Sequence, residues 1–141
     1  MTGFDNIKNT LSEKGLKPTY QRIKIYEYLL DNKEHPTIDN IYHSLYSQIP
    51  TLSKTTVYNT IKLFEKKKII NFILIEEHEL RVDPDTSSHG HFKCIQCGKL
   101  FDIDIRPESF NYHLNDNYEI NEYHIYLKGY CNKCKSLKKE D

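Results

Sequence analysis

Apolar residues recur at helical spacing through the first third of the chain and then give way to strand-like runs. Up to about Ile49 this pattern predicts three helices, with breaks at Gly15-Leu16-Lys17-Pro18 and at His35-Pro36. Each break has a steric cause: glycine accepts a turn, and a residue before proline is steered out of the α region. The third helix is the clearest. Thr37 stands where an N-cap hydroxyl is needed, and Ile38, Ile41, Tyr42, Leu45, Tyr46 and Ile49 form one apolar stripe read as core. A fourth helix is predicted from an N-cap near Ser53 to about Lys67, with Val57, Ile61 and Phe64 inward. That leaves Lys54, Thr55, Thr56, Asn59 and Lys62 facing out. The runs IINFILIEE and HELRVD read as two strands joined by a tight turn near Glu77-His78. Helices followed by such a hairpin are the order of a winged helix-turn-helix.

Beyond Asp83 the composition changes. Pro84-Asp85-Thr86-Ser87-Ser88 is rich in turn formers, and every cysteine lies after it. The division expected is residues 1–83, a linker at 84–88, and 89–141. The second part reads as a strand from His91 to Cys94 and another from Lys99 to Ile105. A helix over about Pro107 to Asn115, a long strand from Tyr118 to Lys128 and a polar tail follow. The fold class expected is α+β: an N-terminal winged helix-turn-helix domain, then a small α/β domain.

With 141 residues, 38% of them hydrophobic, the chain can build one modest core or two small ones, and domains of that size need a staple or a partner. It is short for an enzyme with a deep enclosed pocket. Twenty basic and twenty acidic side chains cancel, so any attraction to phosphate must come from local clustering. Such clusters exist: Lys14 to Lys24 carries four basic residues, Lys17 and Arg22 among them, and no acid. Thr51 to Ile75 carries five lysines against the single Glu65. Lysines in this arrangement supply the salt-dependent phosphate contacts, and Tyr58 and Asn59 at the start of the fourth helix are candidates for base-edge readout. A lysine run alone is as readily a solvated face; the helix-turn-helix-wing order is what turns the reading toward DNA. The opening MTGFDNIKNTLSEKG has no apolar leader core, and no window approaches a membrane span, so a cytoplasmic location is expected and no membrane partner.

In that reducing compartment cysteines serve as thiolate ligands or reactive thiols rather than disulfides. Cys94-Ile-Gln-Cys97 and Cys131-Asn-Lys-Cys134 are paired CxxC knuckles, each turning tightly enough to offer two sulfurs to one tetrahedral ion, so a structural zinc(II) is expected. A thiol-disulfide redox protein is the alternative from another class, and a zinc-stabilised RNA-binding or protein-interaction module a third. His89-Gly90-His91 places two imidazoles on one side of a strand, with Asp83 and Asp102 in flanking segments. His43, His78 and His113 lack such a context and read as surface or partly packed. No serine-histidine-acid order, phosphate-cradling loop or paired catalytic carboxylates can be assigned, so no enzyme is expected.

The blocks GLKPTYQR (15–22), HPTIDNIY (35–42), SKTTVYNTIKLFEKKKII (53–70) and HGHFKCIQCGK (89–99) together resemble the ferric uptake regulator superfamily, and the terminal CNKC fits its second zinc knuckle. The resemblance spans essentially the whole chain. It implies a winged-helix DNA-binding domain, a dimerisation domain, a homodimer and a palindromic double-stranded operator. It puts Tyr58 on the family's recognition-helix tyrosine and Lys17 on a residue that approaches the minor groove. Within the family the likeness is greatest to the peroxide-sensing branch, whose regulatory metal positions are matched by His35, Asp83, His89, His91 and Asp102. Asp102 decides that branch, because iron-sensing members more often have glutamate there. A further metal site found in many members needs polar ligands where this chain has Ser88 and Gly90; Glu108 and His124 match only parts of it, and His124 reads as an ordinary strand residue. Nitrogen and oxygen donors suit iron(II) or manganese(II) as co-repressor. The resemblance further implies that with iron(II) bound, hydrogen peroxide oxidises His35 or His89 and releases the DNA. The nearest rival is an iron or zinc uptake repressor of the same fold.

Overall fold

The computed structural model describes residues 3–76, 79–87, 90–105, 117–121 and 123–137. These form two compact units, Met1–Thr86 and Ser87–Asp141, and the division falls within the turn-forming run 84–88.

The first unit runs α1 (Phe4–Glu13), α2 (Tyr20–Asp31), α3 (Ile38–Leu45), α4 (Lys54–Lys66), β1 (Asn71–Ile73) and β2 (Arg81–Asp83). α1 stops at Gly15, whose φ of 76° a side-chained residue would adopt only under strain; the Gly15 and Leu16 N–H groups then satisfy the carbonyls of Ser12 and Leu11. Hydroxyls start the next three helices. Thr19 accepts from Arg22 N, Thr37 forms a reciprocal capping box with Asn40, and Ser53 accepts from Thr56 N. The inward faces of all four helices meet in one apolar cluster that includes Ile7, Leu11, Ile23, Leu29, Ile41, Ile61 and Phe64. Tyr26 meets Phe64 edge-on with ring centroids 5.7 Å apart. β1 and β2 pair antiparallel with Phe72 opposite Val82, and Val82 is buried in the same core.

α3 is shorter than its apolar stripe predicts. It ends at Leu45, and Tyr46 is 51% exposed, stacked on Tyr42 rather than packed in the core. Ile49 is buried but arrives there through a turn closed on the Leu45 carbonyl. Pro50 supplies the reason, since it bars the residue before it from continuing a helix. The wing strands are also short, three residues each, and the predicted turn at Glu77-His78 lies outside the described residues.

The second unit contains β3 (Gly90–Cys94), β4 (Leu100–Ile103), β5 (Tyr126–Gly129) and the short α5 (Asn132–Lys135). The strand order is β4-β3-β5, antiparallel between β3 and β4 and parallel between β3 and β5. Of the long strand predicted from Tyr118, the described residues show strand only at the end, Tyr126–Gly129, where it pairs with β3 from His91 to Cys94. Tyr118 is correspondingly exposed. The predicted polar tail instead turns into α5 after Cys131, with Lys135 N donating to the Cys131 carbonyl. The helix predicted over 107–115 lies outside the described residues.

Candidate metal centres and nucleic-acid surface

The four cysteines converge at one end of the three-stranded sheet. Cys94 ends β3, and the chain reverses after it: Gly98, at φ 77°, donates to the Cys94 carbonyl, and Cys94 N donates to that of Lys99. Cys131 is the N-cap of α5 and Cys134 lies one turn on, so helical spacing brings the second pair to the first. Ile95 N donates to the Gly129 carbonyl and ties the two knuckles together. All four sulfurs lie within 4.8 Å of one another and none is in a disulfide. Cys97 Sγ and Cys131 Sγ are 3.9 Å apart. A zinc ion with sulfurs at ~2.3 Å would set that tetrahedral edge near ~3.8 Å, so the donor set fits zinc.

The thiols are electrostatically unequal. Hydrogen bonding from the Cys97 backbone N–H, outweighing burial, pulls the Cys94 thiol down to about 6. Burial, reinforced by the neighbouring Cys131, pushes the Cys134 thiol up to about 12. One sulfur is thus poised as thiolate and another keeps its proton until a cation arrives.

Among the described residues, one histidine-carboxylate pair lies in each unit. In the first, His35 Nδ1 lies 3.7 Å from Asp83 Oδ2, both side chains being buried. His35 occupies the loop between α2 and α3 with φ 61°, a left-handed conformation that costs a non-glycine residue ~1–2 kcal/mol. The wing holds it there: Arg81 Nη1 donates to the His35 carbonyl at 3.1 Å and Val82 N to the Pro36 carbonyl at 3.0 Å. Asp83 Oδ1 is occupied by Asp85 N, which leaves Oδ2 turned to the imidazole. In the second unit, His91 on β3 stands opposite Asp102 on β4, with His91 Nε2 3.4 Å from Asp102 Oδ1. Each pair offers nitrogen and oxygen donors and no sulfur, a set that fits iron(II) or manganese(II).

His89 lies outside the described residues, as do Ser88, Glu108, His78 and His113. His43 and His124 are exposed, and His124 lies near Tyr126. Gly90 is packed so closely that a Cβ there would meet Ile105 Cδ1 at 3.0 Å. Sequence reasoning missed Arg81 and its partner Glu76, with which its Nε forms an ion pair; no spacing or motif marks either residue.

On α4, Lys54, Thr55, Tyr58, Asn59 and Lys62 are exposed and Thr56 is partly so. Lys62 Nζ sits over the Tyr58 ring at 5.5 Å, and Tyr58 is 45% exposed. Lys54 Nζ pairs with Asp39 Oδ1 at 3.1 Å, a surface contact that a phosphate can replace. Lys17 is exposed before α2, whereas the Arg22 guanidinium donates to the Lys17 carbonyl and so braces the loop that presents it.

Comparison with known proteins gives a consistent set of matches. Residues 13–130 match the Ferric uptake regulator family. The peroxide operon regulator of Bacillus subtilis is 32% identical over 129 residues, covering 89% of this chain and 88% of that protein. The peroxide-responsive repressor PerR of Staphylococcus aureus is 30% identical over 129 residues, covering 89% and 86%. Among solved structures, the ferric uptake regulator Fur of Helicobacter pylori superposes with a TM-score of 0.73 at 20% identity, covering 99% of this chain and 97% of that one. PerR of Streptococcus pyogenes superposes with a TM-score of 0.54 at 26% identity, covering 95% and 94%. Backbone similarity favours the first of these and sequence identity the second; at 20% identity the former speaks for the fold alone.

Proposed function

Because the chain belongs to the ferric uptake regulator family, we propose that it is a metal-dependent, DNA-binding transcriptional repressor of the peroxide-responsive kind, acting as a homodimer on a palindromic operator. The observation that carries the sensing part is the histidine-aspartate chemistry of both units, His35 beside Asp83 and His91 opposite Asp102. With His89 these are the five regulatory ligands proposed for one divalent ion, iron(II) or manganese(II). Cys94, Cys97, Cys131 and Cys134 hold a separate structural zinc(II).

DNA binding falls to the winged helix. α4 enters the major groove with Tyr58 and Asn59 toward base edges, while Lys54, Thr55, Thr56 and Lys62 take phosphates and Lys17, braced by Arg22, reaches along the backbone. Ligands drawn from both units favour one arrangement of the recognition helices, so metal occupancy shifts the population toward the form that fits the operator. Bound iron(II) supplies the reduction of hydrogen peroxide and, with it, oxidation of a neighbouring imidazole. His35 or His89 is the target, and losing either removes a donor and relaxes the arrangement. Four thiolates saturating one zinc are poor nucleophiles and react more slowly. Convergence of all four sulfurs on one point also supports this reading over that of a CxxC redox protein, which needs an exposed pair.

Peptide mass spectrometry tests the reading. Protein loaded anaerobically with iron(II) or manganese(II) is exposed to a small excess of hydrogen peroxide while operator binding is followed. One added oxygen on the His35 or His89 peptide, with iron only and with loss of binding, is the expected result. No adduct and full retention of binding would assign the protein to the metal-uptake branch.

A further inference from the structure

We propose that Arg81 is a positioning residue for the regulatory metal, setting the His35-Asp83 donor pair from the wing strand β2. This inference rests on His35 and Asp83 being ligands, as proposed above. Residues two apart on a strand share a face, so Arg81 and Asp83 project to the same side of β2 while Val82 turns into the core. Both address the same loop: Arg81 Nη1 reaches the His35 carbonyl at 3.1 Å, and Asp83 Oδ2 stands 3.7 Å from the His35 imidazole. Val82 N fixes the neighbouring Pro36 carbonyl at 3.0 Å, so the successive carbonyls of His35 and Pro36 are held by consecutive residues of one strand.

That grip has something to oppose. His35 has φ 61°, where its side chain crowds the backbone, and it precedes a proline, which narrows its conformations further. Without the Arg81 bond the loop is free to relax, and the imidazole swings with it. Glu76, paired with Arg81 Nε, orients the guanidinium so that Nη1 points at the carbonyl. A metal held by His35 and Asp83 is then held by the wing, and wing position and metal occupancy become linked through β2.

The test compares zinc-replete full-length wild type, R81Q, R81K and H35A by manganese(II) affinity and by the visible d–d absorption of cobalt(II) at the regulatory site. Groups that orient ligands contribute about tenfold to a hundredfold to metal affinity, so R81Q is expected to bind manganese(II) at least about tenfold more weakly with shifted cobalt bands. R81K, which keeps the cation but has a single donor centre, should recover part of the affinity. A purely structural arginine would lower the unfolding temperature of R81Q and leave the cobalt bands where they are; wild-type bands and affinity in folded R81Q overturn the proposal. Should R81Q lose its helical circular dichroism, folded R81K carries the same criterion. H35A separates the two levels: manganese(II) binding unchanged in H35A refutes the ligand reading itself, whereas loss in H35A with none in R81Q refutes only the role of Arg81.

Discussion

Among the described residues, the two units differ in what they bury. In Met1–Thr86, apolar side chains from Ile7 to Val82 close into one cluster, with Phe64 fully buried against Tyr26. Among the described residues of Ser87–Asp141, the buried hydrophobics are Cys94 and Cys134, and large apolar groups such as Ile95, Phe101 and Leu127 remain exposed. A helical unit of this length can bury enough hydrocarbon to close on itself, whereas a small three-stranded sheet needs a cross-link or a partner. Among the described residues of the second unit, the cysteines proposed to hold zinc are the groups buried where the first unit has its apolar core.

The largest effect that can break this contrast is removal of the zinc proposed for the four cysteines. Structural zinc contributes on the order of 10–16 kcal/mol in small metal-dependent folds. Chelation under reducing conditions should therefore abolish hydrogen-exchange protection in β3, β4 and β5 while the amides of α1 to α4 stay protected. Simultaneous loss of protection in both units would show one cooperative fold and end the comparison.

A smaller perturbation sharpens it from the other side. Phe64→Ala deletes a fully buried ring from the helical core and should cost about 3–5 kcal/mol by urea unfolding of the first unit. Zinc content should remain at one ion per chain, and zinc loss from this variant would mean that the units share their stability.

The smallest effect concerns acidity. The Cys134 thiol, pushed up to about 12, keeps its proton throughout the working range, and zinc binding must displace it, whereas Cys94, pulled down to about 6, is already ionised at neutrality. The zinc-bound form is thus favoured as pH rises and disfavoured as it falls, by at least about tenfold in affinity per unit from the single Cys134 proton. Competition with a chelator between pH 8 and 5 reads the slope, which should steepen below about 6 as Cys94 also takes up a proton; a flat profile would mean that the thiols are ionised before the metal arrives.

Local rules made much of this molecule legible from its sequence. Thr37 and Ser53 cap helices because hydroxyls before apolar stripes satisfy the first free N–H groups, and these bonds span three residues. The paired knuckles were legible for the same reason, two residues between cysteines being enough to turn the chain toward one ion. Arg81 was not legible, because its bond to the His35 carbonyl crosses 46 residues and uses a backbone atom that leaves no mark on the side-chain pattern. The exposure of Tyr46 and the restriction of β5 to Tyr126–Gly129 were likewise decided in three dimensions. A periodic stripe records which face of an element is apolar, but how far the element runs depends on the strand or core that meets it, and that neighbour comes from elsewhere in the chain.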